Sequence, residues 1–294
     1  MSPAQRGHLA MLCFSALVAG SFSLGAMAAK FVAPAAVTIA RFALAGVLVG
    51  AAALLTTGLP RSAWRAPWRY LVLGALLAAY FVLMFWGLQT AAAVPTAAVF
   101  TLTPVMAAGF GWLLLGQITT WRMGGALAIG AAGALWVIFR GDLAALARLE
   151  IGRGEMIYFV GCIAHAVYAP LVRKFNRGEP AIVMTLGVMV AGLLVLLLWG
   201  WRDVLATDWL ALPFIVWICL LYVAIAASAL TFVLLQYASL RLPSAKVMAY
   251  TYLVPSWVIL WEVALGRPAP PLIVLGGVAL TVLALLLLLK DENL

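Results

Sequence analysis

Apolar residues run through this chain in ten long blocks, near 8–29, 35–57, 68–90, 94–116, 121–139, 155–174, 180–200, 211–236, 243–265 and 270–289. The blocks are continuous rather than alternating, so an outer-membrane barrel is excluded. A helix needs about 20 apolar residues to cross a hydrocarbon core of about 30 Å, so each block predicts one membrane-spanning helix. Polar punctuation between the blocks is brief. The breaks between the third and fourth blocks and between the eighth and ninth are the shortest, which predicts antiparallel hairpin neighbours. The one long break, Gly141 to Arg153, carries Asp142, Arg148, Glu150 and Arg153 and reads as an external linker. The first block lacks a small-residue cleavage site followed by a soluble domain, so it is read as a retained span rather than a signal peptide.

The pattern is written twice. Gly87-Leu-Gln-Thr-Ala-Ala-Ala-Val-Pro95 leads to Leu102-Thr103-Pro104, and Leu235-Gln-Tyr-Ala-Ser-Leu-Arg-Leu-Pro243 leads to Leu253-Val254-Pro255. Residues 1–140 form a first five-helix repeat, 141–153 the linker and 154–294 a second repeat. An odd number of crossings per half makes the second copy enter from the opposite face. Inverted repeats are the architecture of many secondary transporters, with the substrate near the midplane where the halves meet. The expected fold is therefore an all-α membrane protein: ten transmembrane helices in two inverted repeats around a central cavity, with both termini cytoplasmic.

Composition agrees and charge adds the orientation. Of 294 residues, 67% are hydrophobic and 9% charged. A net charge of +9 would point to nucleic acid in a soluble protein, but here topology explains it. A cytoplasmic N-terminus puts Arg6, Arg61, Arg65, Arg69, Arg122, Arg173, Lys174, Arg177, Arg241, Lys246 and Lys290 inside. Lys30, Arg140, Arg148, Arg153, Arg202 and Arg267 fall outside and Arg41 within a span, the bias of the positive-inside rule. Trp64, Trp68, Trp121, Trp136, Trp199, Trp201 and Trp209 stand near span ends, where amphipathic rings favour the headgroups. Gly109, Gly111, Gly124, Gly125, Gly130 and Gly133 recur in the fourth and fifth spans at a spacing that allows close helix contact. Cys13, Cys162 and Cys219 show no metal or redox spacing and read as small apolar residues.

Polar groups inside spans are functional candidates, because hydrocarbon does not solvate them. His165, midway along the sixth span, either contacts a substrate or bonds a neighbouring carbonyl. Arg41 either attracts an anion or snorkels to the outer interface along its stem, the latter being favoured. Glu262 reads as a paired or interfacial carboxylate rather than a proton carrier. Tyr80 and Met84 share a face of the third span, and Tyr168 projects to the same side as His165. Tyr250, Trp257 and Trp261 recur at helical spacing in the ninth span, with Tyr252 beside them. Together these rings point to an aromatic, nearly uncharged cavity. Pro104, Pro170 and Pro255 are internal to spans and each frees a carbonyl, so helix kinks are expected there.

These residues resemble the EamA-type carriers of the drug/metabolite transporter superfamily over nearly the whole chain. The resemblance rests on Gly20-Ser21-Phe22 leading to Lys30, then Ile39-Ala40-Arg41-Phe42, then the hairpin passages ending in Pro104 and Pro255. Gly116 and Gly266, followed by glycine-rich last spans, complete it. The family usually places an acid after that glycine; Gln117 and Arg267 stand here instead, so no coupling role passes to them. The aromatic midspans make the branch of YddG-type aromatic amino acid exporters attractive. The resemblance implies a ten-helix basket whose cavity is lined mainly by spans 1, 3, 4, 6, 8 and 9. The candidate substrate-binding residues on those spans are Ser21, Tyr80, Met84, Thr101, His165, Tyr168, Tyr250 and Trp257. It also implies export across a bacterial inner membrane.

The expected function is thus a secondary carrier exporting small amphipathic metabolites, aromatic and other amino acids foremost, by alternating access. Its partners are a small-molecule substrate and the lipid bilayer, without nucleic acid, cofactor or metal, and a monomer is sufficient. Export of cationic drugs, neutral amino acids or nucleotide sugars is the alternative in the same class. A membrane-embedded enzyme would need a catalytic constellation that two histidines and nine acids, mostly in loops, do not supply. No P-loop lysine motif is present, so ATP is not the direct energy source.

Overall fold

A computed structural model describes residues 2–148 and 151–290; Glu150 of the linker lies outside them. Ten helices among these residues are long and apolar enough to cross a membrane. They are α1 Pro3–Ala28, α2 Pro34–Thr56, α3 Trp68–Leu88, α4 Ala93–Leu115 and α5 Trp121–Ile138 in the first half. The second half contributes α6 Arg153–Phe175, α7 Ala181–Ala206, α8 Phe214–Ser239, α9 Ser244–Ala264 and α10 Leu272–Leu289. The linker folds into a short helix, Leu143–Ala147, whose first amides are capped by Asp142. Local signals start the spans: Ser2 and Gln5 form a reciprocal capping box on α1, Pro34 opens α2, and Thr120 caps α5. Successive helices reverse direction, so an even number returns the chain to the face where it began. That face, called terminal below, carries the turns before α3, α5, α7 and α9; the opposite, linker face carries the other connections.

The halves do not stand side by side. α3 packs on α6 and α7, and the matching helix of the second copy, α8, packs on α1 and α2. α2 lies along α7, and α5 along α10, each against its own counterpart. Within a half, by contrast, α3 makes little contact with α4 despite the tight turn joining them, so the expected hairpin neighbours diverge into the opposite half. Because lipid tails compete on equal terms for apolar surface, small residues and backbone proximity hold such pairs. At the α5–α10 crossing a Cβ on Gly133 would meet the Gly277 carbonyl at 2.6 Å, and one on Gly277 would meet the Gly133 carbonyl at 2.7 Å. The sequence spacing misleads at Gly109, Gly124 and Gly125, which have open space where a Cβ would be. Gly111 and Gly130 are close to neighbours.

Three spans are not continuous α-helix. α4 breaks at Thr101–Leu102 and restarts at Thr103, placing Pro104 in its new first turn. α9 tightens to 3-10 geometry over Tyr250–Leu253 before restarting at Val254, with Pro255 in that first turn. The breaks of the two copies meet, Thr103 Oγ1 lying 3.2 Å from Thr251 Oγ1. α4 is closed by Gly116, at φ 65°, in the left-handed region that favours glycine; Gly266, at φ 75°, lies just beyond α9. Pro170 lies inside α6, which runs on to Phe175. α8 departs without any proline: Ile225–Leu230 is π-helix.

Candidate functional site

A cluster of rings occupies the seam between the halves. From the first half come Phe22 of α1, Tyr80 and Phe81 of α3 and Phe100 of α4; from the second come Tyr158, His165 and Tyr168 of α6 and Phe232 of α8. Tyr80 is the hub. Its ring centroid lies 4.4 Å from that of His165, 4.5 Å from Phe81 and 5.7 Å from Phe100, stacked on the last. Its hydroxyl lies 3.0 Å from that of Tyr158. His165 and Tyr168, one turn apart on α6, stack at 6.3 Å, and Tyr168 Oη accepts a hydrogen bond of 2.6 Å from Gln236 Nε2. Phe81 and Phe232 stack across the seam at 5.4 Å. Two polar atoms in this apolar setting make no hydrogen bond among the described residues, His165 Nδ1 and Gln236 Oε1.

The candidate residues divide. Tyr80, His165 and Tyr168 belong to the cluster. Met84, one turn beyond Tyr80, is wholly buried. Ser21 is buried and its Oγ lacks a hydrogen bond. The Thr101 hydroxyl is spent on its own helix, donating to the Ala98 carbonyl at 2.6 Å. Tyr250 reaches in another direction, its hydroxyl 3.1 Å from Nδ1 of His8 near the start of α1. Trp257 donates to Ser15 Oγ at 3.2 Å and so joins α9 to α1, while Trp261 packs edge-on against Tyr222. Tyr250 and Trp257 therefore form a second group on the flank of α1, while Tyr252 turns to α5, its hydroxyl 3.5 Å from the Leu127 carbonyl.

Phe22, Phe81, Phe100, Tyr158, Phe232 and Gln236 are not among the candidates read from the sequence. Two carried a usable signal. Tyr158 stands seven residues before His165, hence on the same face of α6. Gln236 is a polar side chain within a span, in the repeated passage whose first copy holds Gln89. Phe22 lies in the Gly20-Ser21-Phe22 passage but stands out there only as part of that motif, and nothing sets Phe81, Phe100 and Phe232 apart from other apolar residues.

Arg41 requires correction. It does not snorkel; it is 0% exposed. Its Nε donates to Ser228 Oγ at 2.8 Å and its Nη2 to the Ala227 carbonyl at 2.7 Å, both in the π-helical stretch of α8. The guanidinium lies 3.8 Å over the Phe81 ring and 5.6 Å from that of Phe85. Glu262 is paired, its carboxylate taking Arg267 Nη1 at 2.7 and 2.9 Å.

A buried ion pair also joins the halves at the terminal face. Arg69, at the start of α3, pairs with Glu179 in the turn before α7 at 2.6 Å, with 1% and 5% of the two side chains exposed. Arg69 also donates to the carbonyls of Phe175 and Ala66, and the Arg177 amide donates to Glu179 at 2.7 Å. Burial raises the Glu179 carboxyl, but the hydrogen bonds from Arg69 and the Arg177 amide outweigh it and hold the group below the usual carboxylate value.

This fold matches a family twice over: the EamA-like transporter family fits residues 5–139 and again 152–290. The protein belongs to that family, within the drug/metabolite transporter superfamily, and is a multi-pass membrane transporter of small molecules rather than an enzyme. An uncharacterized transporter, YyaM of Bacillus subtilis strain 168, is similar at 25% identity over 276 residues, covering 92% of this chain and 90% of that protein. A crystal structure superposes with a TM-score of 0.73 at 22% identity, covering 98% of this chain and 96% of the other, a likeness of fold.

Proposed function

We propose that this transporter is a secondary carrier exporting small amphipathic metabolites, aromatic and other amino acids foremost, across a bacterial inner membrane. The observation that supports the reading is the ring cluster at the seam. It offers π-faces to a flat apolar body, and His165 Nδ1 and Gln236 Oε1 as unspent polar atoms beside them. Its shortest ring contact, Tyr80 with His165, the Tyr80–Tyr158 hydroxyl pair and the Phe81–Phe232 stack each join one half to the other. Rocking of the inverted halves, the usual basis of alternating access, would part these contacts and expose the same groups to each side in turn. The positive-inside bias supports a cytoplasmic terminal face, and YddG-type exporters are the branch that the rings favour.

Two same-class alternatives are weaker on specific grounds. A cationic drug would meet the buried guanidinium of Arg41 beside the cluster. A phosphorylated solute would bring more negative charge than that one cation compensates. Glu179 is the one buried carboxylate among the described residues and is tied to Arg69, so facilitated movement without obligatory proton coupling is the reading adopted.

The test is flux of labelled phenylalanine or tryptophan into proteoliposomes, with and without an imposed pH gradient. Saturable flux is expected in both conditions. Tyr80→Ala and His165→Ala should each lower it at least about tenfold, which corresponds to removing one buried polar interaction with the substrate. Flux indifferent to both substitutions would remove the cluster from the pathway. No flux of any amino acid would remove the substrate class, and flux only with the gradient would restore proton coupling.

A further inference from the structure

We infer that Arg41 is the carboxylate-binding residue of the seam, and that the substrate class is a monocarboxylate bearing a flat apolar body. The inference rests on the seam being the substrate site and adds the charge that the site selects.

A charged side chain deep in a membrane protein is normally paired, with another ionised residue or with backbone carbonyls. Arg41 is fully buried, and no carboxylate among the described residues pairs with it. Two neutral oxygens satisfy Nε and Nη2. Nη1 makes no hydrogen bond among the described residues. Two phenylalanine faces approach the guanidinium, and a π-face stabilises a cation without accepting its N–H groups in the plane. What is left over is one unit of positive charge and in-plane donor capacity, aimed from a planar fork that matches a carboxylate.

The scaffold around it is built rather than incidental. Ser228 and the Ala227 carbonyl both come from the π-helical stretch Ile225–Leu230, and such distortions are frequent at functional sites. Ser228 Oγ is itself fixed by donating to the Val223 carbonyl at 2.6 Å, leaving its lone pairs for Arg41. Nε and Nη2 are thereby anchored while Nη1 stays unspent. Phe81, directly under the guanidinium, stacks on Phe232 and touches Tyr80, so the charge stands at one edge of the ring cluster. A ligand ring lying among these aromatics would carry a carboxylate substituent within reach of that edge. Arg41 and Phe81 belong to the first half, Ser228 and Phe232 to the second. Parting of the halves opens this spot together with the rest of the cluster. One cation sets the preference for a single negative charge.

Purified protein in detergent tests the inference through thermal stability in phenylacetate, phenylalanine or phenethylamine. Phenylacetate and phenylalanine should each raise the Tm by about 5 °C near saturation, and phenethylamine should not. Arg41→Met should abolish the carboxylate response, read as the ligand-induced shift from the variant's own ligand-free Tm. A purely structural Arg41 would instead leave the remaining response selective for carboxylates. Arg41→Lys keeps the charge without the fork and should retain the preference at about tenfold weaker affinity; it serves as the second variant if the methionine protein aggregates. Stabilisation by phenethylamine equal to that by phenylacetate, or a carboxylate response that survives in Arg41→Met, overturns the inference. Flux separates it from the carrier reading. Flux of phenylalanine and phenethylamine alike, indifferent to Arg41, overturns this inference and leaves the carrier. Arg41-dependent stabilisation without flux leaves this inference and overturns export.

Discussion

The hydroxyls of Tyr80 and Tyr158 face each other at 3.0 Å across the seam, both wholly buried. Removing one leaves the other without its partner where water does not reach, which costs about 1–3 kcal/mol, whereas removing both leaves nothing unsatisfied. Tyr80→Phe and Tyr158→Phe should each lower the thermal stability of the purified protein, and the double variant should recover part of the loss. Additive losses would show that the two hydroxyls do not depend on each other. This pair also marks the limit of reading residues one by one. Tyr80 stood out from the sequence as a polar ring in a span, and His165 with Tyr168 followed from helical spacing. Arg41 was legible as a buried-charge candidate, but its partners lie 186 and 187 positions away in the chain. No local pattern decides between snorkelling and burial when the deciding neighbour is that remote.

Helix contacts sort the glycines that look alike in sequence. An alanine at Gly133 would push its Cβ to 2.6 Å from the Gly277 carbonyl, so α5 and α10 must move apart. Overpacking of this kind costs about 1–3 kcal/mol. Gly125 lies on the same helix, exposed and with nothing within 4 Å of the Cβ position; alanine there should stabilise α5 by about 0.5–1 kcal/mol. Melting of the two single variants in detergent checks both signs, and equal effects would mean that spacing rather than contact governs. The elements themselves were well marked. Ten spans emerged because the bilayer demands both length and apolarity, although α1 begins at Pro3 rather than near residue 8 and α7 runs on to Ala206 rather than ending near 200. The breaks before Pro104 and Pro255 follow from a missing N–H and a ring that clashes with the preceding turn. The π-helical stretch of α8 has no such signature; Ile225–Leu230 is ordinary helix-compatible sequence, and its geometry goes with the contacts that Arg41 makes to it.

Across the whole molecule, the Arg69–Glu179 pair ties the first half to the second at the terminal face. Because the folded-state carboxyl lies below its ordinary value of 4.5, the pair's contribution is complete above that value and is lost as pH falls through the depressed one. Glu179→Gln should therefore lower the Tm near neutral pH, because it leaves the buried Arg69 charge uncompensated at a cost on the order of 3 kcal/mol, and the two proteins should converge in acid. A difference that persists unchanged below the folded-state value would assign the loss to packing. Orientation has its own test: with Cys13, the exposed one of the three cysteines, replaced by alanine, a cysteine at Asp142 should react with an impermeant maleimide on intact cells. One at Ser62 should react only after permeabilisation, and the reverse pattern would invert the protein in the membrane. What the sequence determined by itself was everything set by the solvent. A bilayer fixes span length, favours helices and biases loop charge, and each of these is written locally in composition and order. The odd number of spans per half then inverts the second copy by counting alone. Only the tertiary structure decided which halves of the cluster meet, that α3 leaves α4 for α6 and α7, and that Arg41 turns inward to α8. Those outcomes rest on close packing between segments far apart in the chain. The membrane supplies no hydrophobic gradient to sort one apolar face from another, so hydropathy is blind to them.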